Sequence, residues 1–70
     1  MPLTLAPQNT ELKVIKVLAE EKTKKHLENL GILAGEKINV IAGQNGSVIV
    51  MVKQGRLALN KELATKILVA

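Results

Sequence analysis

Two apolar runs, Lys37 to Ala42 (KINVIA) and Ser47 to Lys53 (SVIVMVK), face each other across Gly43-Gln44-Asn45-Gly46, and this pattern constrains the chain more than any other. Asn-Gly supplies the positive φ angles that a tight turn needs, so the two runs are expected to pair as an antiparallel hairpin. Side chains alternate along a strand, so Val48, Val50 and Val52 point one way and Ile49 and Met51 the other. A strand that is apolar on both sides has no simply solvated face. It is expected to lie centrally in a sheet or to meet a partner.

The flanking segments extend this unit in both directions. ELKVIKVL, from Glu11 to Leu18, reads as a first strand with Leu12 and Val14 on one face and Ile15 and Val17 on the other alongside Lys13. Residues 20 to 30, EEKTKKHLENL, place Thr23, Leu27 and Leu30 at helical spacing with charge nearly everywhere else, which predicts a short amphipathic helix. With Leu30 as C-cap, Gly31 can adopt the left-handed conformation and Ile32 can pack back on Leu27 in a Schellman motif. The negative charge of Glu20 and Glu21 suits the helix start. After a Gln54-Gly55 turn, Arg56 to Leu59 is expected to form a strand, Asn60 to cap a helical turn through Ala64, and Lys66 to Val69 to form the last strand.

The connections in this order are too short for parallel crossovers. The economical solution is mainly β: a small, partly open antiparallel barrel of about five strands, with one short α-helix between strands 1 and 2 and a helical turn before the last strand. Seventy residues support a single domain over 1–70, because so short a chain buries only about 60% of its unfolded surface. The 47% hydrophobic content, rich in Val, Ile and Leu, makes a core attainable without staples. No Cys is present, so the chain has neither disulfides nor thiolate metal ligands. The residues from Met1 to Pro7 lack a signal-peptide pattern, and no apolar run approaches the roughly 20 residues of a membrane span. A soluble, cytoplasmic protein without membrane insertion is expected.

Charge and chemistry narrow the function classes. The net charge of +4 admits nucleic acid, an anionic membrane face or an acidic protein surface as partner. Nucleic acid is disfavoured because the chain has no Phe, Tyr or Trp to stack on bases. For catalysis, no nucleophile is matched to a base, and Gly43-Gln44-Asn45-Gly46 lacks the Lys-Ser/Thr end of a P-loop. The chain is expected not to be an enzyme, with no catalytic residues and no cofactor. His26 is the single imidazole; without thiols or converging carboxylates it makes a poor transition-metal site, so no metal site is assigned. Ile15, Val17, Ile41, Ile49, Met51 and Leu68 exceed what so small an interior can hide, and some of them are expected to form an external patch covered by the helix or by another protein.

The segment from Leu27 to Gly35, LENLGILAG, ends a helix on Gly31 and turns again at Gly35 before the KINVIA strand. The tail reads Leu57-Ala58-Leu59-Asn60-x-x-Leu63-Ala64-x-x-Ile67-x-Val69. Together, correctly spaced and extending over nearly the whole chain, these two patterns resemble the FeoA family. Two positions depart from it. Gln8-Asn9 stands where the family often has Gly before the first strand, a place where Asn tolerates left-handed geometry. Asn60 replaces a frequent acidic residue and remains a competent helix cap.

The resemblance implies an SH3-like barrel and a role in ferrous iron transport and iron homeostasis, as a cytoplasmic partner of the cytosolic region of a FeoB-type membrane GTPase transporter. On that basis the partner-binding surface is assigned to Lys24, Lys25, His26, Leu30, Gly31 and Gly35. Lys22 to His26 is placed on the helix face opposite Leu27 and Leu30. A homo-oligomer is also open to the chain. The alternatives are a small basic nucleic-acid-binding barrel and a metalloregulator-type SH3-like module that binds a transition-metal ion, although 70 residues leave no room for an attached DNA-binding region.

Overall fold

The computed structural model describes residues 1–44, 46–53 and 55–70, with only the backbone of Gln44. A single 3-10 turn at Leu3–Leu5 precedes β1 (Thr10–Val17), α1 (Glu21–Asn29), β2 (Lys37–Gln44), β3 (Ser47–Val52), β4 (Gly55–Asn60), α2 (Lys61–Thr65) and β5 (Ile67–Val69). The five strands form one antiparallel sheet in the order β4-β3-β2-β1-β5. The sheet curls around its core without closing. β3 lies between β2 and β4, with Val48, Val50 and Val52 buried and, on its other face, Ile49 half-buried and Met51 exposed.

The β2–β3 hairpin pairs Gln44 with Ser47, and Gly46 takes φ +83°. The expected positive φ at Asn45 lies outside the described residues, as does the Gln54 half of the following turn. The N-terminus covers the outer edge of β5. Pro2 bridges Leu68, the Val69 N–H donates to the Met1 carbonyl at 2.7 Å, and the Met1 amino group donates to the Val69 carbonyl at 2.8 Å. A covered edge offers no row of free backbone groups for mispairing.

The core is continuous across the sheet. β3 contributes Val48, Val50 and Val52, β2 contributes Ile38 and Val40, and β5 contributes Ile67 and Val69. Leu3 enters from the N-terminal 3-10 turn, and Leu27, Ile32 and Ala64 from the segments between strands.

Period-two alternation fails at β1, and the failure is instructive. Val14 pairs with Val69 and Lys16 with Leu68, so Ile15 is an extra residue in a β-bulge. Ile15 and Lys16 therefore both reach the surface, and Val17 returns to the core at 6% exposure. The expectation that Ile15 and Val17 share a face is overturned by this inserted residue, and Val17 drops out of the set from which an external patch is expected. A second register shift falls at Ile41, between the Val40–Val50 and Ala42–Ile49 pairs.

α1 spans nine residues and buries only Leu27 fully; Thr23 and Leu30 are half-buried. So short a helix is marginal on its own and depends on its docking and its cap. The C-terminal cap is a complete Schellman motif. Gly31 has φ +96°, its N–H donates to the Glu28 carbonyl at 3.0 Å, and the Ile32 N–H donates to the Leu27 carbonyl at 2.9 Å. Asn9 takes φ +58° just before β1, the left-handed geometry expected of it.

α2 starts as expected. The Leu63 N–H donates to Asn60 Oδ1 at 2.8 Å. Asn60→Ala removes this acceptor and should lower stability by about 1 kcal/mol, whereas Asn60→Asp should stay within a few tenths. Urea denaturation of the three proteins checks this; equal midpoints for Ala and Asn would show that the cap contributes nothing.

Candidate functional site

Three surface grooves take up three of the six residues assigned from the sequence, one each: His26, Gly35 and Lys24. The first, about 560 Å³, runs between α1 and α2 and is lined by Glu20, Lys22, Thr23, His26, Glu62 and Lys66 among others. Its charges are mixed, two acidic and three basic side chains counting His26, so it presents no single-sign field.

The second, about 450 Å³, holds Gly35 together with Glu11, Glu36, Lys37, Met51 and Lys53. It too is balanced in charge. The third, about 250 Å³, lies between the β1 bulge, the side of α1 and the turn after it, and includes Ile15, Lys16, Lys24, Glu28 and Leu33.

The basic run of α1 is therefore not one face. Helical geometry advances 100° per residue, which sends Lys22 and His26 to the first groove and Lys24 to the third. Lys25 is exposed and lines none of the three. The expected single surface opposite Leu27 and Leu30 is thus split, and His26 sits on the α2 side.

Leu30, Gly31 and Gly35 occupy the helix end and the turn that follows. Leu30 is the half-buried C-cap, and Gly31 closes the Schellman motif. The Gly35 N–H donates to the Val14 carbonyl at 2.8 Å, and the Val14 N–H donates to the Glu36 carbonyl at 2.9 Å. These two bonds pin the turn against β1 beside its bulge. The two glycines shape the backbone that holds the third groove rather than offering side-chain chemistry to it.

Sequence reasoning missed Lys16 and Leu33 as surface features. Lys16 appears at the surface only because the bulge shifts the phase of β1. Leu33 is 37% exposed in a turn that carries no periodic signal. Ile15, 52% exposed, was legible as an apolar residue on the outer face of β1.

The hydroxyls of Thr10 and Thr65 donate to the backbone carbonyls of Gln8 and Lys61, so both serve local backbone geometry. Among the described residues no group of three His, Cys, Asp or Glu side chains converges in a way that could hold a metal ion. No helix among them is long and apolar enough to cross a membrane.

A five-stranded antiparallel sheet with two short helices, whose surface is grooved and charged, defines an SH3-like module. Comparison with known proteins specifies it further. The model of the FeoA domain matches residues 1–70. A relative from Methanocaldococcus jannaschii, named as an Fe(2+) transport protein A, is 38% identical over 68 residues, covering 97% of this chain and 83% of that protein.

Among solved structures, an iron uptake regulatory protein (FeoA) superposes with a TM-score of 0.87 at 26% identity, covering 99% of this chain and 92% of that one. The zinc-complexed FeoA of Stenotrophomonas maltophilia, described as a prokaryotic SH3 domain protein, gives 0.83 at 26% identity and covers 100% of this chain and 89% of its own. The chain belongs to the FeoA family.

Proposed function

We propose that this chain is a cytoplasmic accessory protein of ferrous iron transport that works by binding, without catalysis, the cytosolic region of a FeoB-type membrane GTPase transporter. The observation that carries the reading is the FeoA domain match over residues 1–70. It is supported by a relative named for Fe(2+) transport and by structural neighbours named for iron uptake. Iron in this reading is the transporter's cargo, which accords with a donor set of one imidazole and no thiol.

The contact surface runs along α1 and the turn up to Gly35. Lys24 and Lys25 supply positive charge, and Leu30, Gly31 and Gly35 hold the helix end and the turn in place. Basic side chains at a rim steer an acidic partner and set the salt dependence of association. His26 faces the α2 side and is a peripheral member of this surface.

A pull-down with the transporter's purified cytosolic region tests the reading. The immobilised chain should retain that region, and the Lys24→Glu/Lys25→Glu variant should lose most of the retention with an unchanged far-UV circular dichroism spectrum. Absence of retention by the wild-type chain would refute the partnership. Equal retention by both proteins would show that the surface is elsewhere.

A further inference from the structure

The third groove differs from the other two in how it is built. Its floor includes Val17 and Ile32, which belong to the core, and its walls present Ile15 and Leu33 to solvent. The rim carries Lys16 and Lys24 against a single carboxylate, Glu28. The arrangement depends on the bulge, since an uninterrupted β1 would turn Lys16 inward and Val17 outward. Bulges re-aim side chains at the expense of ladder hydrogen bonds and are features of the design. This one sets a branched apolar side chain beside a cation on the surface.

We infer that the third groove is the docking site for a segment of the transporter's cytosolic region that carries a branched apolar side chain flanked by carboxylates. The inference rests on the partnership proposed above and adds the groove and the chemistry of its occupant.

Three observations select that occupant. A volume of about 250 Å³ falls below the roughly 300–1,000 Å³ of small-molecule sites, and it suits side chains of a peptide better than a whole metabolite. The apolar walls match a branched aliphatic group, and the excess of lysine at the rim favours carboxylates beside it.

A second copy of this chain is disfavoured by the same charges. Each copy carries +4, and a two-fold contact here would set Lys16 and Lys24 near their own counterparts. Single-stranded nucleic acid would find no aromatic platform, because the chain has no Phe, Tyr or Trp.

The test is an NMR titration of the isotopically labelled full chain with the purified cytosolic region, combined with affinities for variants. Shifts should concentrate at Ile15, Lys16, Lys24 and Leu33. Ile15→Asp and Lys16→Glu/Lys24→Glu should each weaken binding by roughly tenfold or more, and added salt should weaken the wild-type interaction. Lys61→Ala, exposed on α2 and outside the groove, should stay within about twofold. Ile15, Lys16 and Lys24 reach the surface, and matching thermal midpoints would establish that each variant is folded.

Wild-type binding that Ile15→Asp and Lys16→Glu/Lys24→Glu leave unchanged overturns the groove and spares the partnership. No binding by wild type removes the partnership and the groove with it. Concentration-dependent shifts at the groove without partner would identify a second copy as occupant and overturn the inference, as would oligonucleotide-induced shifts there for nucleic acid.

Discussion

Leu27→Ala should remove between about a fifth of the stability of this protein and all of it. Leu27 is fully buried and is the one residue of α1 for which this holds. Truncating a buried leucine to alanine costs about 2–5 kcal/mol, the spread reflecting how far the cavity collapses. A chain of 70 residues has roughly 4–10 kcal/mol in total at typical values per residue. Urea denaturation followed by circular dichroism should show a large fall in midpoint, and native-state hydrogen exchange should show α1 opening before the sheet. A loss below about 1 kcal/mol would mean that α1 is held by something other than this anchor. Lys25→Ala on the exposed side of the same helix should stay within about 0.5 kcal/mol.

The second large effect is expected at Gly31. A φ of +96° is unfavourable for any residue with a Cβ, at a cost of about 1–2 kcal/mol for an ordinary side chain and more for a β-branched one. Gly31→Val should therefore destabilise by at least about 2 kcal/mol. Relaxing that strain would break the bonds from Gly31 to Glu28 and from Ile32 to Leu27. Ile32 and Leu27, both fully buried, would then lose the backbone that registers them. Gly31→Asn should cost less, because Asn tolerates the left-handed region. Denaturation midpoints and exchange rates at Gly31 and Ile32 measure both changes. A Val variant as stable as wild type would refute the role of the cap. The Asn variant also separates two functions of the position: if it folds normally but loses the binding proposed above, Gly31 touches the proposed partner directly.

Both predictions concern elements that local chemistry announces. Leu27, Leu30, Gly31 and Ile32 stand at fixed offsets, and a Schellman cap involves only residues within one turn of each other. Asn60 before Lys61 to Ala64 is legible for the same reason, since an N-cap bonds to a backbone group three residues away. The hairpin across Gly43 to Gly46 and the central position of β3 follow from turn chemistry and from apolar side chains at successive positions. Family membership was legible as well, because its patterns are short, spaced runs in the chain itself.

The surface was much less accessible to such reading. Of the six residues assigned to one interaction surface, three line different grooves, with His26 toward α2, Lys24 toward the β1 bulge and Gly35 beside Lys37 and Met51. A run of charges states that a helix face is solvated; it does not state which neighbouring element each charge will meet.

The bulge that opened this protein's fold to a groove shows where the two kinds of information part. From the chain alone, through bonds and contacts spanning a few residues, came the strands, the helix with its stop at Leu30, the tight hairpin and a mainly β antiparallel arrangement. The phase of β1 was decided elsewhere. Whether Ile15 and Lys16 both reach solvent and Val17 returns inside depends on pairing with Leu68 and Ile67, about fifty residues away in the chain. Burying Val17 in the core gained more than one ladder position lost. A balance of that kind between distant partners exists only once the sheet has formed, and it is what sets Ile15, Lys16, Lys24 and Leu33 around a common groove.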